Sequence, residues 1–228
     1  MPPIALGLLW IMRRKLAAIP AAPAWGGLPL LLAGVGLHVV GIRGDVTMFQ
    51  ANSLVLVLAG LVWTWFGWPM LRQAWFPILF LTFGNPTFPA LVNLVSFRLK
   101  AIAAFSSVEL ARSLGVAVTR QGMDLHFPTG TMTIEGACSG LNSLIALMAM
   151  GALFAHLGTG PAWRRWLLFL LSVPVALGAN IVRITSLAVF AALTDTTRAT
   201  GLFHDIGGFV LYSVALLSLV ILKRILRC

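Results

Sequence analysis

The sequence predicts an all-α polytopic membrane protein of about six to eight transmembrane helices, with a small extracytoplasmic β-hairpin before the cysteine-bearing helix. Three observations carry that prediction. The 228 residues are 59% hydrophobic and 10% charged, with a mean hydropathy of +0.96, whereas soluble domains are about 25% charged. Several apolar runs approach the ~20 residues that cross a bilayer core. The basic clusters Arg13-Arg14-Lys15, Arg164-Arg165 and Lys223-Arg224 with Arg227 each flank such a run, as cytoplasmic Lys and Arg do. That placement assigns the net charge of +10 to orientation and the lipid bilayer and excludes nucleic acid as a partner. No hydrophilic stretch is long enough for a soluble domain, so residues 1–228 read as a single integral membrane domain.

The elements follow in order. Residues 4–12 are a short apolar stretch ahead of Arg13, the reverse of the order in a cleaved signal. The first full span covers about 24–42. A second covers about 51–71, with Trp63, Trp65 and Trp68 as an interfacial aromatic cluster. A third runs from about 73 to 90 and contains Pro77 and Pro86, which neighbouring helices can accommodate. In residues 91–114 Arg98, Lys100, Glu109 and Arg112 interrupt a helical apolar pattern, which predicts an amphipathic helix lying in the interface. From Val116 to Glu135 apolar and polar residues alternate around glycine turns, which predicts a β-hairpin or β-meander. Spans at about 138–157, 166–185 and 205–222 close the chain.

With the basic clusters inside, the chain starts in the cytoplasm and emerges near Arg43. It returns near Arg72 and emerges near Pro89. It stays outside to Cys138, turns inside at Arg164-Arg165, emerges beyond Arg183 and ends inside. The inside flanks then hold nine basic residues and no acidic one, against seven basic and six acidic elsewhere. The run from Trp166 to Leu193 is about 42 Å long as a helix, more than a core of about 30 Å. Counted from Arg165, Arg183 therefore falls at the outer interface, on the side where Cys138 and His204 begin their spans.

These three residues are the chemical candidates. A free cysteine is most often a buried small hydrophobe. Cys138, however, sits among Gly136, Ala137, Ser139 and Gly140, which let a substrate chain approach closely. A position at a helix start also lowers a thiol pKa and offers backbone N–H groups to an oxyanion. Arg183 could simply snorkel to headgroups, but an arginine within a span more often marks function. Asn180, three residues earlier, shares its face, and the pair could hold a carbonyl or a developing negative charge. A lone His204 would read as an interfacial histidine. With a thiol at its depth, it reads as a general acid/base. Glu135 could cap or pair near Cys138. His38, His126 and His156 share no ligand spacing, so neither a metal nor a cofactor is expected. Cys228 lies on the opposite side from Cys138, so no disulfide joins them.

In these residues the chain resembles the exosortase/archaeosortase family of integral-membrane sorting enzymes. The resemblance covers about 84–222. It runs through Asn85-Pro86-Thr-Phe-Pro89, the helix to Leu114, the Gly115 to Gly122 hairpin, Glu-Gly-Ala-Cys138-Ser-Gly-Leu, Ala-Asn180-Ile-Val-Arg183-Ile and His204-Asp-Ile-Gly207-Gly-Phe. It implies an active site of Cys138 as nucleophile, Arg183 as transition-state stabiliser and His204 as acid/base; Asn180, Ser139 and Gly140 are the supporting residues read above from their positions. The implied activity is that of a cysteine peptidase and transpeptidase of the plasma (inner) membrane. It would cleave the C-terminal sorting signals of exported proteins, often a Pro-Glu-Pro motif followed by a span and a basic tail. The products would pass to water or to a lipid or polysaccharide acceptor, in systems often linked to exopolysaccharide. Asn142 stands where many members carry arginine, which leaves the subfamily and recognition motif open. Two other readings remain: a membrane acyltransferase carrying a lipid chain on Cys138, and a non-enzymatic membrane scaffold. The acyltransferase would form a lipid rather than a peptidyl thioester. In the scaffold, loss of the thiol would be silent.

Overall fold

The computed structural model describes residues 1–84, 89–122, 124–128, 130–133, 141–194 and 202–227. They form eight helices and one small sheet, in two compact units, Met1–Val92 and Asn93–Cys228.

The first unit is built on a close antiparallel helix pair. Helix α1 (Pro2–Ala17) begins on prolines that suit a first turn. A 3-10 turn at Trp25–Gly27 leads into α2 (Leu28–Arg43), which pairs with α3 (Thr47–Phe66). Glycines at seven-residue spacing bring the two backbones together. A Cβ on Gly27 would stand 2.5 Å from the Thr64 nitrogen, one on Gly34 2.8 Å from the Val57 nitrogen, and one on Gly41 2.9 Å from the Gln50 nitrogen. On α3 a Cβ on Gly60 would stand 2.6 Å from the Leu31 nitrogen. All four belong to one register, each step forward on α2 matched by one step back on α3. In that register His38 meets Ser53, with Nδ1 and Oγ 3.0 Å apart. Ser53 donates its proton to Gln50 O at 2.6 Å, so its oxygen accepts from His38 and Nδ1 carries the hydrogen. Such small-residue seams are how helices associate where lipid is as apolar as leucine.

The break between the second and third predicted spans lies earlier than Arg72. Helix α3 ends at Phe66, and α4 covers Trp68–Phe80, followed by a 3-10 turn at Leu81–Gly84. Gly67 between them has φ +89°, and a Cβ there would come 2.3 Å from Ala22 O. Pro69 then opens α4 in its first turn. Left-handed glycine followed by proline stops one helix and starts another. The Trp63 and Trp68 rings pack across this corner at 4.9 Å. The part of the predicted third span over 85–88 lies outside the described residues.

The second unit carries all but the first turn of α5 (Pro89–Ser113), the sheet, and helices α6 (Leu141–Leu157), α7 (Ala162–Leu193) and α8 (Leu202–Ile225). Strands β1 (Thr119–Gln121), β2 (Asp124–Phe127) and β3 (Gly130–Thr133) form an antiparallel meander in the order β1-β2-β3. Of the hairpin or meander predicted for this stretch, the structure has the three-stranded meander. Gly122 turns β1 into β2 with φ +65°. Leu125 and Phe127 alternate inward and are buried with Ala103, Ala104, Val108 and Ala111 of α5 and Ile184, Leu187, Ala188 and Ala191 of α7. The α5 residues recur at helical spacing as one narrow face. The exposed residues of α5 include Phe97, Ile102 and Phe105 as well as Arg98, Glu109 and Arg112, so apolar side chains lie on both faces of the helix. Ser107 joins α5 to α7, its Oγ 2.6 Å from Ala103 O and 3.1 Å from Ile181 O.

Among the described residues, three helices are long and apolar enough to cross a membrane by length and composition. They are Trp25–Arg43, Thr47–Phe66 and Ala162–Leu193, with Leu144–Leu157 a shorter apolar helix. The count of six to eight is not established by these three. In the 51–90 region Gly67 divides the chain into helices of 20 and 13 residues, so the predicted third span is short among the described residues. The second of these, α4, is about 20 Å long.

Candidate functional site

The site expectation placed Arg183, Cys138 and His204 at one depth. Arg183 lies in the C-terminal half of α7, a single helix of 32 residues that includes Pro174. Its backbone position continues a line of small residues, Ser172, Ala176 and Ala179, along the face that packs on α6 and α8. Asn180 stands one turn before it, and both residues are half-buried. The Arg183 Nε is itself buried. The opposite side of α7 faces α5 and the meander. Thr185 is buried there and donates to Ile181 O at 2.9 Å. Asn180 stands one turn before Ile184 and Arg183 one turn before Leu187, both buried against α5 and the meander, so the polar pair sits at the border between the two packing surfaces of α7.

The depth of Arg183 relative to α6 follows from the helix register. A Cβ on Gly151 of α6 would stand 2.7 Å from the Ser172 Cβ of α7. Leu147 packs with Ala176 in one buried cluster, so four residues back on α6 correspond to four forward on α7. Extending that antiparallel register brings Leu141, the first residue of α6, level with Val182, beside Arg183. Helix α8 joins the same cluster through Ala215 and Leu219. Its first turn contains the His204 backbone, so His204 opens the last helix rather than preceding it. Counting rises from Ala176 and from Ala215 or Leu219 puts that backbone about 6–12 Å beyond Arg183 along the bundle.

The three helices meet differently at their other end. Arg165 donates through Nε to Ala155 O and through Nη2 to His156 O at 3.3 Å, covering the last carbonyls of α6. Arg164 donates to Leu226 O at 3.4 Å, just beyond α8. The Lys223 Nζ lies over the Phe154 ring at 5.6 Å. Guanidinium groups at helix C-termini satisfy free carbonyls and oppose the dipole. Orientation and headgroup contact were the sequence reading of this cluster. Its work as a set of helix caps was missed, because the capped carbonyls lie on other helices.

Cys138, Ser139, Gly140 and Glu135 lie outside the described residues, as do the side chain of His204 and its contacts. Among the described residues no group of three His, Cys, Asp or Glu stands together as metal ligands. The model of the family described as transmembrane exosortase matches residues 1–221. It extends the resemblance read over 84–222 across the whole first unit. No curated protein and no solved structure matches the chain.

Proposed function

Because this chain belongs to the transmembrane exosortase family, a family of membrane sorting transpeptidases, we propose that it cleaves the C-terminal sorting signals of exported proteins at Cys138. The single observation that carries the site is the register of α6 on α7, which sets the start of α6 level with Arg183. Three peptide units separate Cys138 from Leu141, so covalent connectivity keeps the two Cα atoms within about 11 Å. Within that reach, the positive end of α6 and the Arg183 guanidinium would both favour thiolate.

In the proposed reaction the Cys138 thiolate attacks the scissile carbonyl carbon, forming a C–S bond and placing negative charge on the carbonyl oxygen. Arg183, oriented with Asn180, and backbone N–H groups near Ser139 and Gly140 stabilise that oxyanion. The C–N bond then breaks, and the leaving amine takes a proton from His204. Water, or an amine or hydroxyl of a cell-surface acceptor, then attacks the thioester carbonyl and gives its proton to His204; the C–S bond breaks and the thiolate returns. The basic end of α6–α7–α8 faces the cytoplasm of the inner membrane, and the Arg183 end faces outward.

The test is to follow exported proteins that carry a short motif, a span and a basic tail at their C-termini, by gel mobility and C-terminal mass spectrometry. Cells would express either the wild-type chain or Cys138→Ala at matched levels. Processing is expected to stop in the variant while the protein still reaches the membrane. Undiminished processing would reject the thiol as nucleophile.

A further inference from the structure

The three-stranded meander has two outer edges, and they differ. Each hairpin turns through two residues, between Gln121 and Asp124 and between Phe127 and Gly130. Two-residue turns close on a hydrogen-bonded pair, and successive pairs along an antiparallel ladder alternate. On β1 this turns the main-chain groups of residues 118, 120 and 122 outward. On β3 it turns those of Thr131 and Thr133 outward. The β1 edge is blocked by side chains. Arg112 Nε donates to Val118 O at 3.0 Å, and Arg120 Nη1 donates to Gly122 O at 3.1 Å. Arg112 is itself fixed by Glu109, 3.0 Å away. Charged side chains that consume edge carbonyls are a standard defence against unwanted pairing.

No such cover lies along β3 among the described residues. The Thr131 hydroxyl is turned aside to His126 Nδ1, 3.0 Å away on the adjacent strand, and Thr131 is exposed. Behind the strand, Leu125 and Phe127 anchor the meander on Ile184 and Leu187 of α7, the residues that follow Arg183. Strand β3 is tied to that anchored strand by the β2–β3 ladder. In the sequence Cys138 follows Thr133 by five residues.

We propose that the open edge of β3 is the recognition surface for the substrate, which adds to the meander as a fourth strand through main-chain hydrogen bonds to Thr131 and Thr133. This rests on the sorting reaction proposed above. The occupant is an extended peptide segment of the exported protein, because a row of alternating N–H and C=O groups complements another main chain. Recognition of this kind reads backbone at alternate residues and leaves side chains to the surroundings.

The test uses the peptide covering ten residues around the cleavage point mapped in a protein whose processing requires Cys138. A series of these peptides, each N-methylated at one successive position, competes with the full-length substrate for the wild-type enzyme. Strand addition predicts losses of roughly ten-fold or more at every second position and small effects between them. An aperiodic profile would overturn it. In cells, Thr131→Pro removes an outward N–H while sparing the ladder to β2, and should slow processing with little change in labelling of Cys138 by a small maleimide. Arg120→Pro, on the blocked edge, should process normally. Equal processing by Thr131→Pro and wild type would also overturn the proposal. If Thr131→Pro does not accumulate, the methylation profile of the wild type decides. Loss of activity in Cys138→Ala alongside an aperiodic profile would leave the sorting reaction standing and remove only the docking edge.

Discussion

At the scale of single residues, Arg183 carries the sharpest expectation. Its Nε is buried, so the base of the guanidinium lies within the protein rather than among headgroups. Lysine there would keep the charge and lose the bidentate geometry. We expect Arg183→Lys to lower processing by about 10²-fold or more, the usual effect of removing an oxyanion donor, with membrane insertion unchanged. A variant within a few-fold of wild type in the gel-mobility assay would return Arg183 to the role of a lipid anchor. At the other end Arg165 covers two carbonyls of α6. Arg165→Ala should destabilise that helix end by roughly 1–3 kcal/mol. The measurement is amide hydrogen exchange over residues 152–157, expected to quicken there and not over 141–147.

At the scale of elements, the α2–α3 pair depends on where its glycines fall. A Cβ on Gly34 meets the Val57 backbone at 2.8 Å, whereas nothing lies within 4 Å of one on Gly36. Gly34→Ala should therefore lower the melting temperature of the purified protein, with an overpacking cost of about 1–3 kcal/mol. Gly36→Ala, on the same helix with the same change in propensity, should leave it unchanged or higher. Equal behaviour of the two variants would mean that the helices do not rely on this seam. The seven-residue spacing of Gly27, Gly34 and Gly41 is visible in the sequence as a signal for such packing, yet hydropathy alone reads the same stretch only as a span. The Gly67-Trp68-Pro69 helix break was legible in the same way, but the apolar run continuing through it pointed to a later boundary near Arg72. The turn glycines and alternation of 116–135 showed a meander or hairpin correctly, since strand period and turn chemistry are local properties.

At the scale of the whole molecule, the basic residues define the orientation we propose. Single cysteines introduced at Thr119 or at Ala162, in a chain carrying Cys138→Ala and Cys228→Ser, test it directly. A membrane-impermeant maleimide added to intact cells should label the first position and leave the second unlabelled until the cells are opened. The reverse pattern would invert the topology and remove the reaction from the exported side.

Membrane character, the family, and the candidate trio of Cys138, Arg183 and His204 were all within reach of the sequence. Hydropathy, charge asymmetry and short polar motifs in apolar runs are properties of neighbouring residues. What only the tertiary structure decided is which faces meet. The register of Gly151 on Ser172 and Leu147 on Ala176 sets the start of α6 beside Arg183. Arg112 and Arg120 close one edge of the meander, and Arg164 and Arg165 reach carbonyls on other helices. These choices depend on contacts between residues far apart in the chain, and no local pattern of hydropathy encodes which of several equally apolar faces will pair.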